Sequence, residues 1–380
     1  MATADLVASD LGSRPAAPPA VEDQGGDGPP AEPGGGTGGG DGGGRAPGRG
    51  WRPGRLIRVA LHVATYVPLV SLAAILGALA YKAAPAIVYN GFGFFGRTTW
   101  DMGNLYAPLT TSGGTSHPPG AQYGVVPLVV GTLASSAIAV VLAVPVAIGT
   151  AVIVVEKLPA RLSAWFGFFL ELLAGVPSVV IGLWGVLTLG PFLSHDVARL
   201  WADHLPDVPV LSFFRGPTYN GEGLFTAGVV LAMMIVPIIA ATTRDLLRQV
   251  PRDLADGAAA LGMTEAESMR QVVFPWVRTG VIGATLLGLG RALGETIAVA
   301  MVSGALLGSN ARSLYSEMTT IAATIVTQLD SALTDASGLA TSTLAEVGLI
   351  LLVITLLANV GARLLVRRVA TTALPVGRGI

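Results

Sequence analysis

The chain has 380 residues, of which 52% are hydrophobic and only 12% charged, and its mean hydropathy is +0.64. A soluble domain carries about 25% charged residues, so there are too few charges to cover a soluble surface of this size, and the composition specifies an integral membrane protein. The net charge of −1 points to no nucleic-acid partner, and the absence of cysteine excludes disulfides, thiol nucleophiles, iron–sulfur clusters and cysteine zinc sites.

Within residues 1–50 the run PPAEPGGGTGGGDGGGRAPGRG is almost entirely Gly and Pro. It cannot bury enough apolar surface to offset its chain entropy, so a disordered tail is expected there. A glycine-rich phosphate loop is disfavoured, because no periodic segment follows closely. The tail is long and polar for the start of a cleavable signal peptide, which makes the first apolar stretch an uncleaved anchor.

Six stretches are apolar over the length that crosses a bilayer: 57–81, 124–155, 162–190, 224–243, 276–307 and 343–366. The sequence therefore predicts an all-α polytopic protein with six transmembrane helices. Arg45, Arg49, Arg52, Arg55 and Arg58 precede the first span, and Lys157 and Arg161 lie between the second and third. Arg244, Arg248, Arg252 and Arg270 lie between the fourth and fifth, and Arg363, Arg367, Arg368 and Arg378 close the chain. The opposite-side segments are longer yet hold only Lys82, Arg97, Arg199, Arg215 and Arg312. This bias places both termini in the cytoplasm. In the outer segments, Ser112-Gly113-Gly114 and Asp203-His204-Leu205-Pro206 read as solvated loops. His195 and His204 have no third ligand pattern nearby, so no metal site is expected. The expected organisation is a tail over 1–50, a first helix and outer loop over 51–123, a core over 124–366 and a cytoplasmic tail over 367–380.

The third stretch carries Glu171 in its cytoplasmic half and Pro177, which should disturb the helix. An intramembrane carboxylate marks either a solute path or a hydrogen-bond partner on another helix; the residues alone leave both open.

The connection between spans four and five reads VPRDLADGAAALGMTEAESMRQVVFP, residues 250–275. Pro251 suits a helix start, Gly262 a C-terminal cap, and Thr264-Glu265-Ala266-Glu267 a capping box. Two short helices meeting at a glycine elbow are expected, on the cytoplasmic face. A plain connector needs only a few residues, so this compact knob suggests a docked partner.

Span five contains GLGRALGETIAVAMVSG, residues 288–304. Residues four apart share a helical face, so in a continuous helix over 276–307 Arg291 and Glu295 are expected to pair. Each charge alone at the bilayer centre costs roughly 2.5–3.5 kcal/mol on insertion scales. A pair there marks a solute path more readily than its rival, an ion pair that fixes helix register. Gly280, Ala284, Gly288 and Ala292 recur every fourth residue, as do Gly290 and Gly294, a spacing that lets helices approach closely. Arginine offers a planar fork of donors that suits oxyanions. A neighbouring carboxylate repels an anion that only accepts hydrogen bonds, whereas phosphate near neutral pH keeps a hydroxyl that donates to it. The pair therefore favours phosphate over sulfate.

A nucleotide-binding phosphate loop needs Gly-Lys followed by Ser or Thr. The only lysines are Lys82, after Tyr81, and Lys157, after Glu156. No catalytic residue is expected, and any ATP-driven activity takes its motor from another chain.

Asp256-Gly257-Ala258, three residues, Gly262, nine residues and Val272-Val273-Phe274-Pro275 reproduce the spacing of a cytoplasmic motif in the permease subunits of ABC importers. That motif reads Glu-Ala-Ala, Gly and Ile-x-Leu-Pro. The substitutions here are Asp for Glu, Gly for Ala, Val for Ile and Phe for Leu, and Gly257 should loosen its helix by about 1 kcal/mol relative to Ala. The resemblance implies that Asp256, Gly257, Ala258, Gly262, Glu267 and Pro275 belong to a surface seated in a groove of a separate ATPase. Gly290-Arg291-Ala292-Leu293-Gly294-Glu295-Thr296 resembles the span-five signature of phosphate-importer permeases. The runs 278–283, 287–290 and 297–299, with 171–178 and 182–185 in span three, are closer to the PstC type than to the PstA type. This resemblance covers residues 55–370.

It implies the type I ABC importer permease fold in a bacterial plasma membrane. It also implies a phosphate path bordered by Arg291, Glu295, Thr296, Glu171 and Ser178. The implied partners are a PstA-type permease subunit, two copies of a PstB-type ATPase that binds ATP and Mg, and a PstS-type phosphate-binding protein outside. No cofactor is implied for this chain. The rivals are the same machine for molybdate or sulfate, and an ion-coupled secondary carrier, for which internal repeats would be expected and none is evident. A receptor or scaffold would leave the midplane charges without a role.

Overall fold

The computed structural model describes residues 54–204, 220–308 and 313–371. The expected tail at 1–50 and the end of the C-terminal tail, 372–380, lie outside them. The chain divides into two compact units, 1–62 and 63–380, and of the first only the opening turns of one helix are described.

Helix α1 (Arg55–Asn90) is apolar on every side, and Val63, Leu69, Val70 and Ile75 are all exposed. A helix greasy all round is stable only against lipid or another subunit. It ends in a 3₁₀ turn, Gly91–Phe95. Strands β1 (Thr110–Ser112) and β2 (Thr115–His117) then form an antiparallel hairpin with Ser112 opposite Thr115, where the sequence read only a solvated loop. Three-residue polar strands carry no periodic signal that could announce them.

Helix α2 (Val126–Val152) continues through a wide π turn to Lys157. Its small face, Ala139, Ala143, Ala147 and Ala151, is fully buried. It packs on α7 (Leu224–Arg248), whose residues Val230, Leu231, Ile235, Ile239 and Ala240 form the centre of the core. Small residues at this spacing bring the helix backbones close enough for dense van der Waals packing, which drives association in lipid.

The third span departs from expectation. It is not one helix over 162–190 but α3 (Ala160–Ala174), then a break, then α4 (Ser178–Trp184), α5 (Gly190–Phe192) and α6 (Ala198–His204) joined by π turns. The stretch able to cross a membrane is Ser178–Trp201. Pro177 has no N–H and its ring clashes with the preceding turn. Gly175 and Val176 close α3 by donating to the carbonyls of Leu172 and Leu173 at 3.0 and 3.3 Å.

The 250–275 loop forms α8 (Arg252–Ala260) and α9 (Glu265–Ser268). The second of the two short helices is not separate. A π turn, Met269–Val273, joins α9 to α10 (Phe274–Gly294), giving one run over Glu265–Gly294. Pro275 lies inside this run and has no N–H for the preceding turn, and the π turn just before it accommodates the proline ring without a break. Span five is itself broken, because α10 stops at Gly294 and α11 (Ile297–Val302) starts anew.

A further apolar helix, α12 (Ile321–Leu333), lies between the fifth and sixth spans, and α13 (Leu339–Thr371) is the last span. The Ile321 N–H donates to Thr132 Oγ1 of α2 at 3.0 Å, pinning the start of α12 into the core. Among the described residues six helical runs are long and apolar enough to cross a membrane.

Candidate translocation path and coupling surface

The two breaks position the candidate path. Arg291 sits exposed in the last turn of α10, where a cation complements the partial negative charge of a helix C-terminus. Glu295, half-buried, has already left the helix with φ −72° and ψ 126°. The expected pairing therefore fails: a residue four positions on shares a helical face only if the backbone between them stays helical, and no ion pair joins Arg291 and Glu295 among the described residues. Gly290 and Gly294 lower the helix propensity of this last turn, and Thr296 Oγ1 donates back to the Gly294 carbonyl at 3.2 Å.

The two glycine series on α10 have different roles. A Cβ on Gly280 would fall 2.5 Å from Leu246 Cδ1, and one on Gly288 2.9 Å from Ile239 Cδ1, so this series packs on α7 as expected. A Cβ on Gly283, Gly290 or Gly294 would meet nothing within 4 Å, so the second series packs on nothing in this chain. Leu287 on that side is 62% exposed. Arg291 and its glycines thus lie on an open face rather than in a helix–helix seam.

Helix α4 packs directly on α11, and a Cβ on Gly182 would lie 2.9 Å from the Ala298 Cα. A Cβ on Gly185 would likewise lie 2.9 Å from Val302 Cγ1, so α4 and α11 run in the same direction and Ser178, at the start of α4, lies toward the start of α11. Ser178 thus follows one helix break and Glu295 and Thr296 occupy the other, with Arg291 one turn before it. It places Glu171 elsewhere, on α3, where Oε1 accepts from Arg244 Nη2 of α7 at 3.2 Å.

Arg244 is the residue that the sequence most clearly failed to single out. There it is one cation among several at the cytoplasmic end of span four; in the fold its side chain is only 8% exposed. Its Nε also donates to Asp245 Oδ1 at 3.0 Å, and Gly167 leaves it room, since a Cβ there would sit 2.1 Å from Nη1. One turn on, Arg248 Nη2 donates to Ser163 Oγ of α3 at 2.8 Å. Glu346 of α13 is a second unanticipated group, a buried carboxylate that accepts from Asn90 Nδ2 at 2.8 Å. The only sequence signal for it was a lone acid in an apolar span.

The coupling knob is built as the local chemistry dictates. Gly262 adopts φ +81° and donates to Ala259 O at 2.9 Å, while Met263 donates to Ala258 O at 3.1 Å, a pair of bonds that satisfies the last carbonyls of α8. Thr264 Oγ1 accepts from the Glu267 N–H at 3.3 Å and Glu267 Oε2 accepts from the Thr264 N–H at 2.8 Å, completing the capping box. Lys157, at the end of span two, reaches Glu265 at 2.5 Å. Asp256 and Gly257 are exposed, Ala258 is buried and Pro275 is half-buried. Leu261, beside the elbow, is 80% exposed.

Residues 143–371 match the family described as binding-protein-dependent transport system inner membrane component. The phosphate transport system permease protein PstC 1 of Mycobacterium tuberculosis is 56% identical over 329 residues, 87% of this chain and 97% of that protein. The PstC protein of Pasteurella multocida is 37% identical over 302 residues, 78% of this chain and 87% of that protein. A chain of the inward-facing MetNI methionine ABC transporter aligns with TM-score 0.46 and 18% identity, covering 64% of this chain and 95% of its own. The chain belongs to the family of binding-protein-dependent transport system inner membrane components.

Proposed function

We propose that this chain is the PstC-type permease subunit of an ATP-driven phosphate importer. The observation that carries the reading is the break in span five, which presents Arg291 on an open face of α10 with Glu295 just beyond the helix end. Arg291 supplies donors for phosphate oxygens. Glu295, free of Arg291, accepts a hydrogen bond from the protonated oxygen of phosphate and repels sulfate, which has no proton to give. Thr296 and Ser178 supply hydroxyls beside the two breaks. The extended similarity to proteins named as phosphate transport permeases supports this substrate.

The open face is completed by a PstA-type subunit, so that the path runs between two permeases. The knob over 251–275 docks on one of two PstB-type ATPases, which bind ATP and Mg, and a PstS-type protein delivers phosphate from outside. Both termini lie in the cytoplasm by the distribution of Lys and Arg. The test of the substrate reading is Glu295→Gln. Competition by excess sulfate against phosphate uptake should rise at least several-fold in the variant. Unchanged sulfate discrimination together with an unchanged uptake rate would remove Glu295 from the site.

A further inference from the structure

We propose that Arg244 is a positioning residue that locks α3 to the coupling loop, so that α3 moves as a lever about the Gly175–Pro177 break and resets α4 at the path. The inference rests on the importer reading above, but no step of it depends on which anion is carried.

Three polar ties hold α3 and the turn before it to the cytoplasmic end of the molecule. Arg244 reaches Glu171 at 3.2 Å, Arg248 reaches Ser163 at 2.8 Å, and Lys157 reaches Glu265 at 2.5 Å. The first two come from consecutive turns of α7 and grip α3 at both ends of its length. Arg244 is seated deeply enough that any side chain at Gly167 would collide with its guanidinium. Its Nε and Nη2 both reach Asp245 Oδ1 and its Nη2 also reaches Glu171 Oε1, an arrangement of donors that a lysine ammonium cannot reproduce. α7 passes into α8 through only Gln249, Val250 and Pro251. A displacement of the knob therefore pulls on the end of α7 and, through Arg244 and Arg248, on α3.

Beyond the break a new partner is added. α4 packs on α11, with Gly182 against Ala298, and Gly185 just after it meets Val230 of α7 as well as Val302; α11 begins at Ile297, directly after Glu295 and Thr296. The break at 175–177 thus separates α3, tied to the end of α7 that enters the knob, from α4, packed on α11 at the candidate path, while α10, which carries Arg291, joins the knob through α9. A short segment whose backbone bonds are interrupted is where a helix pair bends at least cost. Glu171, which the sequence could have assigned to the path, acts through Arg244 instead.

The chain contains no cysteine, so Val179→Cys, just beyond the break and exposed, is its sole thiol. In the assembled complex, alkylation of this thiol by a water-soluble maleimide is compared between nucleotide-free and ATP-trapped states. The expected result is a rate that changes at least three-fold with ATP, and a change that shrinks below 1.5-fold when Arg244→Gln is added. ATPase activity should stay within two-fold of the parent, and Arg244→Lys should fall between. A merely structural Arg244 would lower ATPase activity and assembly together without selectively removing the ATP response at 179. In a second arm Ser163→Cys and Arg248→Cys are bridged by a short bis-maleimide, with the ATP response at α4 read as the reactivity of Val179→Ser/Val180→Lys toward an amine-selective reagent. The response should survive the bridge, because α3 and α7 move together. A full ATP response with Arg244→Gln, no response in the parent, or a response abolished by the bridge would each overturn the lever. If Arg244→Gln fails to assemble, the bridged variant decides. A parent that shows the response yet imports no phosphate would overturn the substrate reading and leave the lever standing.

Discussion

Arg291 shows how far a residue can be read without its fold. Its place in the last turn of the run Glu265–Gly294, rather than at the middle of an unbroken span, was not legible; the oxyanion chemistry of its guanidinium was, because it depends only on what arginine is. Its relation to Glu295 was not, because the expectation assumed an unbroken helix and the backbone at 295 is extended. Glu171 was ambiguous for a related reason. Its partner Arg244 is 73 positions away, and no local spacing connects them. Gly167 makes that contact testable on its own. Gly167→Ala would place a methyl group 2.1 Å from Arg244 Nη1, the far end of a long side chain, so its cost measures how firmly the guanidinium is held, up to the about 1–3 kcal/mol of an overpacked core. Thermal unfolding of the purified complex should show a lowered midpoint for Gly167→Ala and none for Gly149→Ala, whose added Cβ meets nothing within 4 Å. An unshifted midpoint at 167 would mean that Arg244 gives way freely.

At the scale of elements, the knob was the most legible part of the molecule, because its bonds join residues three to five apart. Gly262 holds a positive φ, so Gly262→Ala should weaken the elbow by about 1–2 kcal/mol. Thr264→Ala removes the cap of α9 and should cost about 1 kcal/mol. Gly257→Ala should have the opposite sign, stabilising α8 by about 1 kcal/mol, because the position is exposed and its Cβ meets nothing within 4 Å. Amide exchange of residues 252–268 in the purified complex reads all three as local opening free energies. Faster exchange in Gly257→Ala, or no change in Gly262→Ala, would contradict the cap assignments. The break in span three was foreshadowed by Pro177, but that in span five was not, since Gly294 alone is tolerated in many membrane helices. The hairpin and α12 were not legible, because their signals are short or resemble those of a connector.

For the whole molecule, six spans and their order followed from apolar length, and the family match and the fold agree with that reading. The sidedness that Lys and Arg predict can be measured with single thiols in this cysteine-free chain. Ser112→Cys in the hairpin should react with an impermeant maleimide on intact cells, and Ala266→Cys in α9 only after the membrane is opened. The reverse pattern would invert the topology and place the knob on the wrong side for an ATPase. The central claim is that the open face at Arg291 is a phosphate path. Its most direct test is radioactive phosphate uptake in cells whose only phosphate importer contains this subunit, comparing the parent with Arg291→Gln and checking assembly in both. The account predicts that uptake disappears in an assembled complex; uptake at the parental rate would contradict it.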